Sequence, residues 1–196
     1  MYMDAPPRLL DVGPSYESEL IRRLLPDSHV DSLGFLDARL LAPRDGERHF
    51  ELDLATRDAE ALPDDFYDVV VFAEVIEHLY TSPRVVLRML QSRLRRHGTL
   101  VMQTPNAAAL SRRFWLFMGR NPFEPIREDL HQAGHFREYT AAELRELCAD
   151  AGLRVDSVSM RNYFLTGSTK NRILVAVGSL MPPTLRQGIT LVAERV

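Results

Sequence analysis

The chain has 196 residues, of which 45% are hydrophobic and 26% charged, a composition typical of one globular domain with a sizeable core. A formal net charge of −3 argues against a surface that coats nucleic acid, so we expect no nucleic-acid partner. The single cysteine excludes an internal disulfide and a cysteine-based zinc framework, and the absence of a secretion signal or of a ~20-residue apolar run predicts a cytoplasmic protein.

Short β-rich runs alternate with helical periods along the chain, which predicts an α/β fold with a mostly parallel sheet covered by helices on both faces. The predicted strands cover residues 8–12, 29–36, 48–54, 68–72, 99–103, 153–160 and 189–195. The predicted helices cover 16–25, 82–98, 140–152 and part of 168–187. Ser82 is the predicted N-cap of the second helix, and Thr140 with Glu143 forms a predicted capping box at the start of the third.

The turn after the first strand is the most informative segment, because Asp11-Val12-Gly13-Pro14-Ser15 runs directly into a helical pattern. Gly13 allows the backbone to approach a ligand where a β-carbon would collide. A dinucleotide site would need G-x-G-x-x-G, but the later glycine positions hold Ser15, Glu17 and Ser18. The turn therefore favours a nucleotide-type ligand without a diphosphate, or else a plain turn that binds no ligand.

Three later segments extend this pattern in a fixed order. They are Phe66-Tyr67-Asp68-Val69-Val70 followed by Glu74-Val75-Ile76-Glu77-His78-Leu79, His97-Gly98-Thr99-Leu100 followed by Thr104-Pro105-Asn106, and Gly134-His135-Phe136-Arg137-Glu138-Tyr139-Thr140. Together with Asp11-Val12-Gly13 they resemble the successive motifs of class I S-adenosylmethionine-dependent methyltransferases. They are most similar to the ubiquinone-biosynthesis O-methyltransferase-like group, and the segment from Gly134 to Thr140 is similar to one found in its members beside glycan-synthesis genes.

The resemblance covers about residues 9–160 and implies a Rossmann-like, seven-stranded, mostly parallel sheet whose last strand is antiparallel. It also implies an enzyme that uses S-adenosyl-L-methionine, bound over the carboxyl ends of the first strands. The expected cofactor-binding residues are Asp11, Gly13, Pro14, Ser15, Asp37, Asp53, Leu54, Ala73 and Glu74.

Each of these residues has an expected role or an alternative. Asp11 would order the turn or hold the cofactor's amino group through water. Asp53 would accept from the adenine amino group with Leu54 against the ring, and Asp58 is a rival for that role. Ala73 and Glu74 would line the methionine side. The alternative for Glu74 and for Glu77 is a solvated acid that stabilises the start of a helix.

Two positions depart from the pattern of the family that the chain resembles. Ser15 stands where a second glycine is usual, and Gly34 stands where an acid usually closes the second strand. Asp37 is the candidate to replace that acid as the ribose ligand, with a surface loop acid as its alternative, whereas Asp31 is expected to point away. These departures keep open a catalytically silent binding or assembly domain. A nicotinamide-binding oxidoreductase is disfavoured by the absent glycines.

Residues 107–138 form the expected inserted lid or interface segment of a single methyltransferase domain over 1–196, because only about eight residues precede the first strand. Its aromatic residues, including Phe114, Trp115 and Phe117, alternate with arginines. This combination suits a substrate with apolar surface and anionic groups, such as a sugar phosphate or a lipid-linked intermediate. The alternative is an amphipathic helix packed on the domain or on the mate of a homodimer, and membrane contact is a lesser alternative.

The catalytic candidates follow from the chemistry of methyl transfer, which depends on positioning and gains from a base near the acceptor hydroxyl. His135 is the first candidate for that base and His78 the second, with Trp115, Arg137 and Tyr139 expected to bind the substrate.

A metal site is not expected, although His131 and His135 have helical spacing, because Gly134 interrupts the helix that would align the two rings. Thr104-Pro105-Asn106 differs from the Asp/Asn-Pro-Pro-aromatic motif of enzymes that methylate amino groups of nucleic acids. The favoured acceptor is therefore a hydroxyl of a small molecule, a sugar or a lipid-linked glycan intermediate.

Overall fold

The computed structural model describes residues 6–14, 16–35, 43–54, 61–126, 134–163 and 181–196. Within these ranges seven strands form one sheet: β1 (Arg8–Val12), β2 (His29–Leu33), β3 (His49–Phe50), β4 (Tyr67–Ala73), β5 (Leu94–Pro105), β6 (Leu153–Arg161) and β7 (Gly188–Arg195). The strand order is β3-β2-β1-β4-β5-β7-β6. Only β7 runs antiparallel to its neighbours, so the predicted fold class is confirmed.

Four α-helices lie in the same ranges: α1 (Tyr16–Leu24), α2 (Pro83–Arg93), α3 (Leu110–Phe117) and α4 (Ala141–Asp150). The core joins the inner strands to α2 and α4 through fully buried side chains such as Val70, Phe72, Leu87, Leu100 and Leu144. None of the helices in the described ranges is both long enough and apolar enough to cross a membrane. In contrast to α2 and α4, α3 buries none of its residues.

The structure confirms the predicted start of α4 fully and that of α2 in part. The capping box of α4 is confirmed, because the Glu143 amide donates to Thr140 Oγ1 at 3.3 Å and the Thr140 amide donates to Glu143 Oε2 at 2.8 Å. Ser82 lies at the N-cap of α2, but its side chain makes no capping hydrogen bond, and Pro83 opens the helix. Most of the helix predicted within 168–187 falls outside the described residues, and its end contains a 3₁₀ turn at Pro183–Leu185.

Strands β2 and β3 are shorter than predicted, and the backbone gives the reason at the end of β2. Gly34 follows Leu33 with φ of +133°, a conformation that ends regular pairing. β4 and β5 instead pair in parallel from Val69 to Ala73, as expected for central strands buried on both faces. β1 and β4 are adjacent and parallel, so their carboxyl ends lie at the same edge of the sheet, where the segments that follow them meet.

Candidate functional site

The turn after β1 lies against the segment that follows β4. Gly13 has φ of +76°, and a β-carbon built there would lie 2.4 Å from Val75 Cγ2. Its amide donates to the Leu33 carbonyl at 2.8 Å, which ties the turn to the end of β2. Gly34 packs beside it, since a β-carbon there would lie 3.4 Å from Pro14 Cδ. The tight glycine turn predicted from the sequence is present and has no room for a larger residue.

Asp11 is buried at the end of β1, and its carboxylate accepts a hydrogen bond from Ser18 Oγ on α1. This contact fixes the start of α1 against the strand. Of the two expected roles for Asp11, the structure therefore favours ordering of the turn. Ser18 is the partner that sequence reasoning missed.

Asp53 and Tyr80 connect the ends of β3 and β4, because the Tyr80 hydroxyl donates to Asp53 Oδ2. Leu54 is half-buried beside Asp53 and packs against the core. The Tyr80 ring also lies 5.9 Å from the ring of Phe136, measured between centroids. Ser15, Asp37 and Asp58, which were also expected near the cofactor, lie outside the described residues.

Asp31 is fully buried in β2 and belongs to a network of structural hydrogen bonds. This agrees with the expectation that Asp31 points away from the cofactor site. Its carboxylate accepts from the Arg48 amide at 2.8 Å and from the Tyr67 hydroxyl at 2.9 Å. Burial and the neighbouring Asp31 charge raise the pKa of Tyr67. Asp31 is therefore engaged in holding β2, β3 and β4 together.

Glu74 and Glu77 lie just beyond β4, where the chain crosses the carboxyl edge of the sheet. Glu74 follows Ala73 with a left-handed φ of +54°, which is uncommon for a residue with a side chain and is often found at functional sites. Its Oε1 accepts from Gln103 Nε2 at 3.3 Å. Burial, followed by the nearby Glu77 charge, raises the pKa of Glu74 to about 7.

Glu77 lies in a 3₁₀ turn (Ile76–His78) and has no exposed surface, so the alternative of a solvated acid is wrong at this position. Its Oε2 accepts from Thr104 Oγ1 at 2.9 Å. Its Oε1 is buried and has no hydrogen-bond partner among the described residues. Burial raises the pKa of Glu77 as well.

The two predicted catalytic histidines lie side by side, although they are far apart in the sequence. The rings of His78 and His135 are 4.9 Å apart between centroids and meet edge to face at 74°. His78 Nδ1 lies 2.8 Å from the Gly134 carbonyl oxygen, and His135 Nδ1 lies 3.2 Å from Glu138 Oε1. We call His78 and His135 the histidine pair.

The Glu138 side chain orients the ring of His135, one member of the histidine pair. This role was not predicted from the sequence, although the i,i+3 spacing between His135 and Glu138 is consistent with such a contact. Its buried carboxylate accepts from Arg112 Nε at 3.1 Å and from a second nitrogen of the same guanidinium. Arg112 also donates to the Pro122 carbonyl at 2.7 Å. Within the expected lid segment, Arg112 therefore connects α3 and the Pro122 carbonyl to the carboxylate that contacts His135.

His135 of the histidine pair borders a cleft of about 400 Å³, which we call the main cleft. Its lining residues are Glu74, Pro105, Asn106, Ala109, Ser111, Arg112, His135, Glu138 and Gln187. A second cleft of about 360 Å³ lies on the side of Phe123 and Arg137 and shares His135 and Glu138 with the first. The His135–Glu138 pair thus forms a wall between two openings, where a small acceptor could reach it.

The three expected substrate contacts do not converge on the main cleft. Trp115 lies on α3, 42% exposed, with the Arg120 guanidinium 5.4 Å from its ring centroid. Arg137 pairs with Glu143 at 2.5 Å and lies over the ring of Tyr139. Tyr139 is 3% exposed and packs in the core, and its burial raises the pKa of its phenol. Arg137 lines the second cleft and, together with Tyr139, a separate one beside α4.

This arrangement, a glycine turn after β1 with acidic and histidine residues after β4, agrees with comparison to known families. A family model described as "Methyltransferase domain" matches residues 2–158. The chain belongs to this methyltransferase domain family. The family model and the relatives below confirm the class predicted from the sequence, an S-adenosylmethionine-dependent methyltransferase domain.

Two curated relatives are described as probable S-adenosylmethionine-dependent methyltransferases. One, from Mycolicibacterium smegmatis, is 34% identical over 149 residues, which are 74% of this chain and 50% of the relative. The other, from Mycobacterium tuberculosis H37Rv, is 40% identical over 91 residues, which are 46% of this chain and 28% of the relative. The chain thus matches half or less of the length of these relatives.

Solved structures share the fold at low sequence identity. A SAM-dependent methyltransferase from Archaeoglobus fulgidus aligns with a TM-score of 0.63 at 15% identity, covering 98% of this chain and 88% of its own. A Haloferax volcanii structure of a methyltransferase with the Trm112 methyltransferase activator aligns with a TM-score of 0.67 at 14% identity, covering 100% and 84%. These alignments support the Rossmann-like methyltransferase fold.

Proposed function

We propose that the chain binds S-adenosyl-L-methionine at the carboxyl edge of β1 and β4 and methylates a hydroxyl oxygen of a small molecule, a sugar or a lipid-linked glycan intermediate. The observation that carries this proposal is the position of the His135–Glu138 pair on a cleft that also contains Glu74, directly after β4. The cofactor and a potential base are thereby expected at opposite sides of one opening.

The residues of the β1 turn suit this cofactor. Gly13 has no space for a β-carbon, because Val75 Cγ2 would lie 2.4 Å from it, and its amide is held by the Leu33 carbonyl, so the turn has one fixed shape beside the end of β4. The resemblance implies that Asp53, which accepts from the Tyr80 hydroxyl, contacts the adenine and that Ala73, at the end of β4, lines the methionine side. No diphosphate contact is needed, which agrees with Ser18 being engaged by Asp11.

The histidine pair and Glu138 supply the acid–base chemistry. The Glu138 carboxylate accepts from His135 Nδ1–H, so Nε2 of the neutral ring carries the lone pair that can take a proton. When bound, S-adenosyl-L-methionine would supply an electrophilic sulfonium methyl to the acceptor oxygen and leave as S-adenosylhomocysteine, and His135 Nε2 would take the hydroxyl proton. Arg112 holds Glu138 in place throughout, which keeps the ring directed at the acceptor.

The alternative is a catalytically silent methyltransferase-fold domain that serves in binding or assembly. Gly34 favours it, because the strand end that the resemblance assigns to a ribose-binding acid has no side chain. A homodimer or an activator, as printed for the Haloferax structure, would be a partner in either case. The two functions differ in one measurable respect, since only the enzyme turns over.

Calorimetric titration with S-adenosylhomocysteine tests the cofactor site. Gly13→Val should weaken binding by at least ~10-fold, because its side chain enters space already occupied by Val75. Gly119→Val is the matched control: its φ is +73°, but a β-carbon there meets nothing within 4 Å. A folded Gly13→Val protein with unchanged affinity would overturn the site. Transfer of labelled methyl from the cofactor to a panel of hydroxyl acceptors then separates the enzyme from the silent domain.

A further inference from the structure

Glu77, His78 and His135 form a cluster of potential metal ligands. One ligand atom from each side chain can be chosen so that all three lie within 4.8 Å of one another. Ligands on one first-row metal ion stand about 3–4 Å apart, since metal–ligand bonds are about 2.1 Å long. The three side chains therefore need to move by only a fraction of their present separation to share an ion.

Both histidines are held in the orientation that a metal ligand requires. His78 Nδ1–H donates to the Gly134 carbonyl at 2.8 Å, and His135 Nδ1 lies 3.2 Å from the Glu138 carboxylate. In each neutral ring the remaining Nε2 carries the lone pair. Metal-bound histidines usually donate their other N–H to a carbonyl or a carboxylate in this way, which fixes the tautomer.

The Glu77 carboxylate supplies an independent observation. It has no exposed surface, Thr104 satisfies its Oε2, and its Oε1 has no hydrogen-bond partner among the described residues. Oε1 lies 3.9 Å from His78 Nε2 and so faces the histidine pair. The neighbouring Glu74 carboxyl can donate to Glu77 only when it is protonated, whereas a cation between these atoms would satisfy Oε1 while both carboxylates stay ionised.

We propose that Glu77, His78 and His135 bind a first-row divalent metal ion, such as Zn²⁺, Co²⁺ or Mn²⁺. Two imidazoles and one carboxylate suit these ions, whereas Mg²⁺ and Ca²⁺ favour oxygen ligands alone. Three protein ligands leave open coordination positions, as in catalytic metal sites. The sequence pattern does not favour a metal site at His131 and His135, but the fold places His135 close to Glu77 and His78.

The role of the ion rests on the proposed function, whereas the site itself does not. His135 and Glu74 line the main cleft, so an acceptor hydroxyl there can occupy an open coordination position. Coordination lowers the pKa of a bound hydroxyl and releases its proton to solvent, and the resulting oxyanion can accept a methyl group. In the metal-stripped protein His135 Nε2 is free to act as the proposed proton acceptor, whereas in the loaded protein it is a metal ligand.

The test uses tag-free protein stripped with a chelator and titrated with Zn²⁺ by calorimetry. One ion should bind per chain, and bound Co²⁺ should show the visible absorption of a nitrogen- and oxygen-ligated site. Glu77→Gln and His78→Ala should each weaken Zn²⁺ binding at least ~10-fold. Glu77→Gln keeps the oxygen that accepts from Thr104, so circular dichroism should show an intact fold. His97→Ala is the control, because it removes an exposed histidine that contacts a carboxylate elsewhere.

Failure of the wild-type protein to bind Zn²⁺, Co²⁺ or Mn²⁺, or binding that all three variants retain equally, overturns the site. If the ion binds as expected but stripped and loaded proteins transfer methyl groups at equal rates, its role in activating the acceptor is overturned and the site stands. If no acceptor is methylated in any form, the proposed function fails, and the titration still decides the metal site.

Discussion

Arg112 on α3 and Glu138 at the end of the lid segment form a two-nitrogen contact, with Arg112 Nε 3.1 Å from Glu138 Oε2. Glu138 is nearly inaccessible, whereas the Arg112 side chain is 30% exposed. The same carboxylate faces His135, so one buried group links the exposed helix α3 to the histidine pair. Movement of α3 and orientation of His135 are therefore coupled.

Replacing Arg112 tests this coupling. Arg112→Lys should lower the rate of methyl transfer while leaving S-adenosylhomocysteine affinity nearly unchanged, because an ammonium cannot reproduce the two parallel contacts of a guanidinium. Arg113→Lys on the same helix is the control, since the Arg113 side chain is exposed and donates to a backbone carbonyl, that of Ala108, at 2.7 Å. Rate measurements and calorimetry on both variants give the comparison. Equal rates in the two variants would contradict the coupling.

His135→Ala should reduce turnover by about 10²–10⁴-fold, the range for loss of a general base. Binding of S-adenosylhomocysteine should change little, because His135 lies on the main cleft and not on the Gly13 turn. Single-turnover rates with a hydroxyl acceptor provide the measurement. A loss below ~10-fold would restrict His135 to positioning of the acceptor.

Glu138→Gln should reduce turnover in the same direction, because a neutral amide stabilises the protonated ring less than a carboxylate does. Gln keeps the size of Glu, so far-ultraviolet circular dichroism should be unchanged. Parallel assays of Glu138→Gln and Glu124→Gln make the comparison specific, since Glu124 is exposed and accepts from the backbone amide of His135, at 3.0 Å, and not from its ring. Full activity in Glu138→Gln would contradict the pairing of Glu138 with His135.

The sequence predicted the fold well because the fold depends on local patterns. Alternating strands and helices, the Gly13 turn and the capping box at Thr140 each follow from short-range rules, and all three are present. Strand ends were less predictable. Gly34 ends β2 early through its backbone conformation, and the sequence of β3 carries little periodicity from which to judge its length.

The site was less predictable because its contacts join distant segments. His78 and His135 were both candidates, but their ring contact depends on the path of the chain between α2 and α4. A solvated acid was an equally good interpretation of Glu77, because periodicity cannot show that Thr104 and the sheet bury its side chain. Tyr139 was expected at the substrate, whereas the strand-like bridge from Asn106 to Tyr139 directs it into the core.

Asp31→Ala should destabilise the protein by about 3 kcal/mol, because it leaves the buried Tyr67 hydroxyl and the Arg48 amide without their acceptor. Urea denaturation measures the free energy of unfolding. Asp45→Ala is the control, because Asp45 is exposed in a turn, and its effect should stay within about 0.5 kcal/mol. Equal stabilities would show that the Asp31 network contributes nothing to the fold.

The last prediction concerns α3, whose aromatic side chains extend from the surface of the described chain. Phe114 is 55% exposed and Phe117 is 87% exposed, so replacing both with Ser should leave thermal stability nearly unchanged. If α3 covers the acceptor, as proposed for residues 107–138, the double variant should lose methyl transfer while keeping S-adenosylhomocysteine affinity, because the acceptor loses apolar contacts and the Gly13 turn is untouched. Analytical ultracentrifugation of the wild-type and variant proteins measures their oligomeric state and so tests the alternative that α3 is a dimer interface. A dimer that dissociates in the variant, with transfer unchanged, would identify α3 as an interface and contradict its role as a cover.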